Sequence, residues 1–140
     1  MKARKTILVV DDDDTDVFFV QSGLQRAGLS DDLVVARDGQ EAIDYLTRST
    51  DSPVPAAAPP IPSLLLLDLK MPRVDGFDVL AWIGTHPELE ALPVVVLSNS
   101  QEPNDVARAR NLGADDYRQK PSNLTSYAEL MQEMHARWLA

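Results

Sequence analysis

The 140-residue chain is 44% hydrophobic and 25% charged, the balance of a globular protein with a single well-packed core. Its formal net charge of −9 argues against nucleic-acid binding, which needs a basic face for phosphates. No apolar run approaches the roughly 20 residues that span a bilayer, so no membrane partner is expected. The absence of cysteine removes disulfide and thiolate chemistry and fits a cytoplasmic protein.

The opening MKARKTILVV is basic and then apolar, but its apolar part stops at Asp11, too soon for a signal peptide. It reads as a strand, Ile7–Val10, and Leu33–Ala36, Leu64–Leu67 and Val94–Leu97 repeat the type. All four are continuous rather than alternating, the mark of buried parallel strands. Helix-like spacing lies between them. Val17, Val20, Leu24 and Ala27 precede a closing Gly28; Ala42, Ile43 and Leu46 follow, then Phe77, Leu80, Ala81 and Ile83. Asn104 is placed to cap a fourth helix running to Leu112 and stopped by Gly113. A last helix from about Ser122 carries Leu124, Tyr127, Met131, Met134 and Trp138 on one face, with Ser126 and Glu129 as a capping box. A fifth strand belongs near Tyr117–Gln119. The alternation predicts an α/β fold, a five-stranded doubly wound parallel sheet with helices on both faces and one domain over 1–140. Ser49–Pro62 holds five of the ten prolines and reads as a loop insertion between the second helix and the third strand.

In such a sheet, ligands gather beyond the carboxyl ends of the strands. Those ends carry Asp11 and Asp12, then Asp68, then Ser98 and Asn99, then Lys120. Each has a bland reading alone, as a cap or a turn residue; Asp13 or Asp14 has that role at the first helix. Together they form a set. Clustered carboxylates raise one another's pKa unless a cation relieves them, and Mg²⁺ suits all-oxygen ligands. With positive charge present, one carboxylate can attack phosphorus while Lys120 and the Ser98 hydroxyl support the transferred oxygens.

ILVVDD (7–12), LLLLDLKMPRVDGFDVL (64–80), VVVLSNS (94–100) and GADDYRQKP (113–121) resemble, in order and over nearly the whole chain, the receiver domain of two-component response regulators. The resemblance implies a flavodoxin-like (βα)5 fold. It makes Asp68 the phosphoacceptor, with Mg²⁺ held by Asp12, Asp68 and the Lys70 carbonyl, and by Asp11 through water. Lys120 would contact the acids at rest and the phosphoryl group after transfer. Ser98 and Tyr117 would be the switch residues, Lys70 and Asn99 the modulators, and Pro121 would follow a cis bond. The DDDDTD opening, the proline-rich insertion, SNSQEPNDVARARNLGADDY and the terminal ArgTrpLeu resemble stand-alone regulators paired with bacterial and cyanobacterial phytochromes. A sensor histidine kinase of phytochrome type is the implied partner, no output domain is expected, and the only catalysis expected is of the protein's own phosphorylation and dephosphorylation. Lys70 stands where that subgroup more often has asparagine, and is expected to lengthen the phosphorylated lifetime. Output would run through a face made by the fourth helix, fifth strand and fifth helix. Trp138 and Leu139, hard to bury at a chain end, suggest a homodimer there.

Two other readings remain open on sequence. Asp11-x-Asp13-x-Thr15 resembles the nucleophile motif of haloacid-dehalogenase-like phosphatases, with Ser98, Lys120 and Asp115–Asp116 available for its other motifs. That family usually places its acidic pair after the lysine, and the reading leaves AspLeuLysMetPro without a purpose. A phosphorylation-independent interaction module is the third.

Overall fold

The computed structural model describes residues 5–51 and 58–140. The strands are β1 (Thr6–Val10), β2 (Asp32–Ala36), β3 (Leu64–Leu67), β4 (Val94–Ser98) and β5 (Asp116–Gln119). They pair in parallel in the order β2-β1-β3-β4-β5. The helices are α1 (Asp14–Arg26), α2 (Gly39–Asp51), α3 (Gly76–Gly84), α4 (Pro103–Asn111) and α5 (Leu124–Met134).

Strand pleating divides the apolar residues between two cores. Ile7, Val9, Leu64, Leu66, Val95 and Leu97 face one side and pack beneath α1 and α5. Leu8, Val10, Leu65, Leu67, Val94 and Val96 face the other, against residues of α2, α3 and α4. This double burial is why β1, β3 and β4 are apolar without alternation. β2 and β5 are the sheet edges and only partly buried, so Leu33, Val34 and Val35 are less enclosed than a continuous apolar run suggests. The same edge position explains why AspTyrArgGln forms a strand despite its polarity.

Helix ends correct several expectations. Asp13 caps α1, accepting from the amides of Thr15 and Asp16. Gly28 and Gly113 follow the caps of α1 and α4 at φ of 74° and 109°, where a side chain is strained. α4 begins at Pro103 rather than after Asn104, because proline's fixed φ suits a first helical turn. α5 is capped by Asn123, whose side chain accepts the Ser126 amide, so Ser126 and Glu129 form no capping box. α2 continues through Ser49 to Asp51, ahead of the first proline, with the Ser49 and Thr50 hydroxyls bonded to the carbonyls of Tyr45 and Leu46. Most of the proline-rich stretch (52–57) lies outside the described residues.

The C-terminus also departs from expectation. His135–Leu139 winds as a π turn, and the extra residue in the turn rotates Leu139 inward to the core shared by α1 and α5, leaving it 3% exposed. Leu139 therefore needs no second copy to leave water, and the ground for a homodimer shrinks to the half-buried Trp138. The Lys120–Pro121 bond is trans, since no cis peptide occurs among the described residues. Trans is intrinsically favoured by about 0.5–1 kcal/mol where the surroundings do not select the other isomer.

Candidate functional site

The parallel ladders continue one residue beyond their strands, and this brings the polar groups together. The Asp11 amide donates to the Ala36 carbonyl at 3.0 Å, the Asp68 amide to Val10 at 2.9 Å and the Lys120 amide to Ser98 at 2.9 Å. Asp11, Asp68, Ser98 and Lys120 are thus fixed by backbone at one edge. Gly76 completes the support: a Cβ there would sit 2.3 Å from the Asp68 carbonyl oxygen, so only glycine lets α3 start this close behind Asp68.

Lys120 lies at the centre, its side chain 5% exposed. Its Nζ is 2.6 Å from Asp16 Oδ2, 3.0 Å from Asp11 Oδ2 and 3.5 Å from Asp68 Oδ1. Burial opposes its charge, but the Asp16 hydrogen bond and the Asp68 and Asp11 carboxylates outweigh that and hold the ammonium above the usual lysine range. Burial pushes the Asp68 carboxyl up from 3.8 to about 6; nearby Asp11 adds to the rise, while Lys120 and the Lys70 amide oppose it. Asp11 is also raised, again chiefly by burial. The cluster is electrostatically strained even with Lys120 among its members.

Asp11, Asp12 and Asp68 each present a carboxylate oxygen, and these oxygens lie within 4.8 Å of one another. Two are buried and Asp12 is exposed, so the trio opens to water on one side. This all-oxygen set fits a hard divalent cation that retains part of its water shell, and such a charge would relieve the raised carboxyls.

Ser98 is fully buried, and its Oγ accepts the Ser100 amide at 3.1 Å. The Tyr117 hydroxyl donates to the Ser100 carbonyl at 2.7 Å, so both proposed switch residues meet at Ser100. Asn99 is exposed. The Lys70 ammonium is not directed at Asp68; it lies 3.5 Å from Asp105 Oδ2. The Asp13 carboxylate is committed to the α1 amides, which removes the second acid that the phosphatase reading required. Asp14 pairs with Arg37. His135 pairs with Asp31 at 2.9 Å and His86 stacks on Trp82, so each has a partner.

Asp16, on the first turn of α1, joins the cluster as the carboxylate nearest to Lys120. Its position four residues after Asp12 was the available signal. Asp105 was missed, because nothing in its sequence neighbourhood ties it to Lys70.

Residues 7–132 match the response regulator receiver domain family, and the chain belongs to that family. Within it, the chain is 35% identical over 135 residues to the response regulator Rcp1 of Synechocystis, covering 96% of this chain and 89% of the relative. Its fold matches the phosphorylated cyanobacterial phytochrome response regulator RcpA with a TM-score of 0.85 and 35% identity, over 99% of this chain and 96% of that one. The Mn²⁺-bound form of Rcp1 matches with a TM-score of 0.80 and 35% identity, over 96% and 94% of the two chains. The chain is therefore a receiver domain whose relatives include phytochrome response regulators.

Proposed function

We propose that the protein is a phosphoacceptor regulator, phosphorylated on Asp68 by a phytochrome-type sensor histidine kinase in the cytoplasm. The observation that carries this reading is the grouping of Asp11, Asp12 and Asp68 within ligand distance of one another, with Lys120 against two of them. Kinship with Rcp1 and RcpA supports the choice of kinase class.

Asp12, Asp68 and the Lys70 carbonyl would hold Mg²⁺ directly, and Asp11 through water. When bound, Mg²⁺ supplies positive charge to the phosphoryl oxygens. An Asp68 oxygen forms the new bond to phosphorus as the bond to the donor breaks, and the donor leaves with that electron pair. With its pKa near 6, Asp68 is ionised and nucleophilic at neutral pH. Lys120 shifts from the carboxylates toward the new phosphoryl group, which carries nearly two negative charges. Ser98 must exchange its Ser100 amide partner to reach that group, and the movement loosens the carbonyl that Tyr117 holds. Output then passes to the α4–β5–α5 face through Tyr117.

The test is intact mass after incubation with Mg²⁺ and acetyl phosphate. A Mg²⁺-dependent phosphoryl adduct in wild type, absent in Asp68→Asn, is expected. An adduct that survives Asp68→Asn and disappears in Asp11→Asn would overturn the reading.

A further inference from the structure

An ion pair joins the loop that follows β3, just beyond Asp68, to the start of α4. Lys70 belongs to that loop. It follows Asp68 by two residues and its amide opposes the rise of the Asp68 carboxyl, so its side chain is rooted beside the acceptor. Its side chain, 67% exposed, carries the ammonium to Asp105 on the first turn of α4. Asp105 is itself held: the Ser100 hydroxyl donates to Asp105 Oδ2 at 2.7 Å, the same oxygen that faces Lys70. Ser100 in turn gives its amide to Ser98 and takes the Tyr117 hydroxyl on its carbonyl. The Ser100 hydrogen bond, and after it the Lys70 ammonium, hold the Asp105 carboxyl below the usual carboxylate range.

We infer that Asp105 is a positioning residue that anchors the Lys70 ammonium across the opening between the β3–α3 loop and the first turn of α4, so that the pair screens an acyl phosphate on Asp68 from water. The inference rests on the phosphoacceptor reading and adds its control of lifetime. Hydrolysis forms a bond from the water oxygen to phosphorus and breaks the bond from phosphorus to the Asp68 oxygen. The carboxylate returns with that electron pair, and both protons of the water leave on dihydrogen phosphate. The attacking water must arrive opposite the Asp68 oxygen, from the side facing away from the protein. A lysine on a flexible four-carbon stem obstructs that approach only while its end is fixed. Asp105, braced by Ser100, provides the fixed end.

The test follows decay of the phosphoryl adduct by intact mass in wild type, Asp105→Asn, Lys70→Met and the double variant. Asn at 105 removes the charge but retains an oxygen for the Ser100 hydroxyl, so the loop keeps its brace. Each single variant is expected to shorten the half-life by roughly two- to fivefold, the scale of an exposed ion pair. The double variant should decay no faster than either single one, because both act through one contact. Asp105→Glu should keep most of the wild-type half-life, its carboxylate still reaching Lys70. Unchanged or longer half-lives in Asp105→Asn, or effects that multiply in the double variant, overturn the inference while leaving Asp68 as acceptor. Absence of any adduct in wild type overturns the phosphoacceptor reading and the inference together.

Discussion

Replacing Asp68 by asparagine should make the metal-free protein more stable at neutral pH, although it removes the proposed acceptor. Asp68 is only 6% exposed, and burial with Asp11 nearby lifts its carboxyl to about 6. In the unfolded chain the same group titrates near 3.8. At about 1.4 kcal/mol per pKa unit, keeping Asp68 ionised in the folded protein costs about 3 kcal/mol, with Lys120 already included as an opposing influence. Asparagine resembles the protonated carboxyl and carries no such cost. The sign follows from proton counting. Between about pH 4 and pH 6 the folded protein binds more protons than the unfolded chain, so this contribution to stability falls as pH rises through that window. The advantage of Asp68→Asn should therefore be near zero below about pH 4, grow to about pH 6 and level off above it. Urea unfolding of both proteins in EDTA, from pH 4 to 7.5, measures this directly. An advantage that is absent at pH 7.5, or constant across the range, would refute burial as the origin of the raised carboxyl. Saturating Mg²⁺ should shrink the advantage by stabilising wild type more than the variant.

Lys120→Met leaves Asp11, Asp16 and Asp68 without their shared cation and should destabilise the metal-free protein by about 3–5 kcal/mol at pH 7, with partial recovery at pH 5 as Asp68 and Asp11 take up protons. The same urea series reads that recovery. Gly76→Ala places a Cβ against the Asp68 backbone and should cost about 1–3 kcal/mol in thermal unfolding while slowing adduct formation from acetyl phosphate. Asn123→Ala removes the α5 cap and should cost about 1 kcal/mol by urea unfolding.

Much of the fold was readable from local pattern. The apolar runs of β1, β3 and β4 declared themselves because strands covered on both faces are apolar on both faces along most of their length, and the helices because one stripe must be apolar. β5 was weakest in sequence because an edge strand is only partly buried and can keep Asp116, Arg118 and Gln119. Helix starts were misjudged where two start signals competed. Pro103 and Asn123 prevailed over Asn104 and Ser126 through a fixed φ and a well-placed side-chain oxygen, which composition does not rank. The inward turn of Leu139 was invisible because a π turn adds a residue to the helical period.

For the site, the sequence by itself determined which strand ends carry acids, a hydroxyl and a lysine, and parallel topology determined that they share an edge. Tertiary structure alone decided their pairing. Asp16 and Lys120 are 104 positions apart yet meet at 2.6 Å, because α1 and β5 open at the same end of the sheet. Whether Lys70 turns to Asp68 or to Asp105 likewise depends on where α4 begins, and Pro103 sets that start. Residue types and strand order are local or topological, and a sequence carries them. The direction a long charged side chain takes is chosen by the partners that folding brings within reach, and these come from distant parts of the chain.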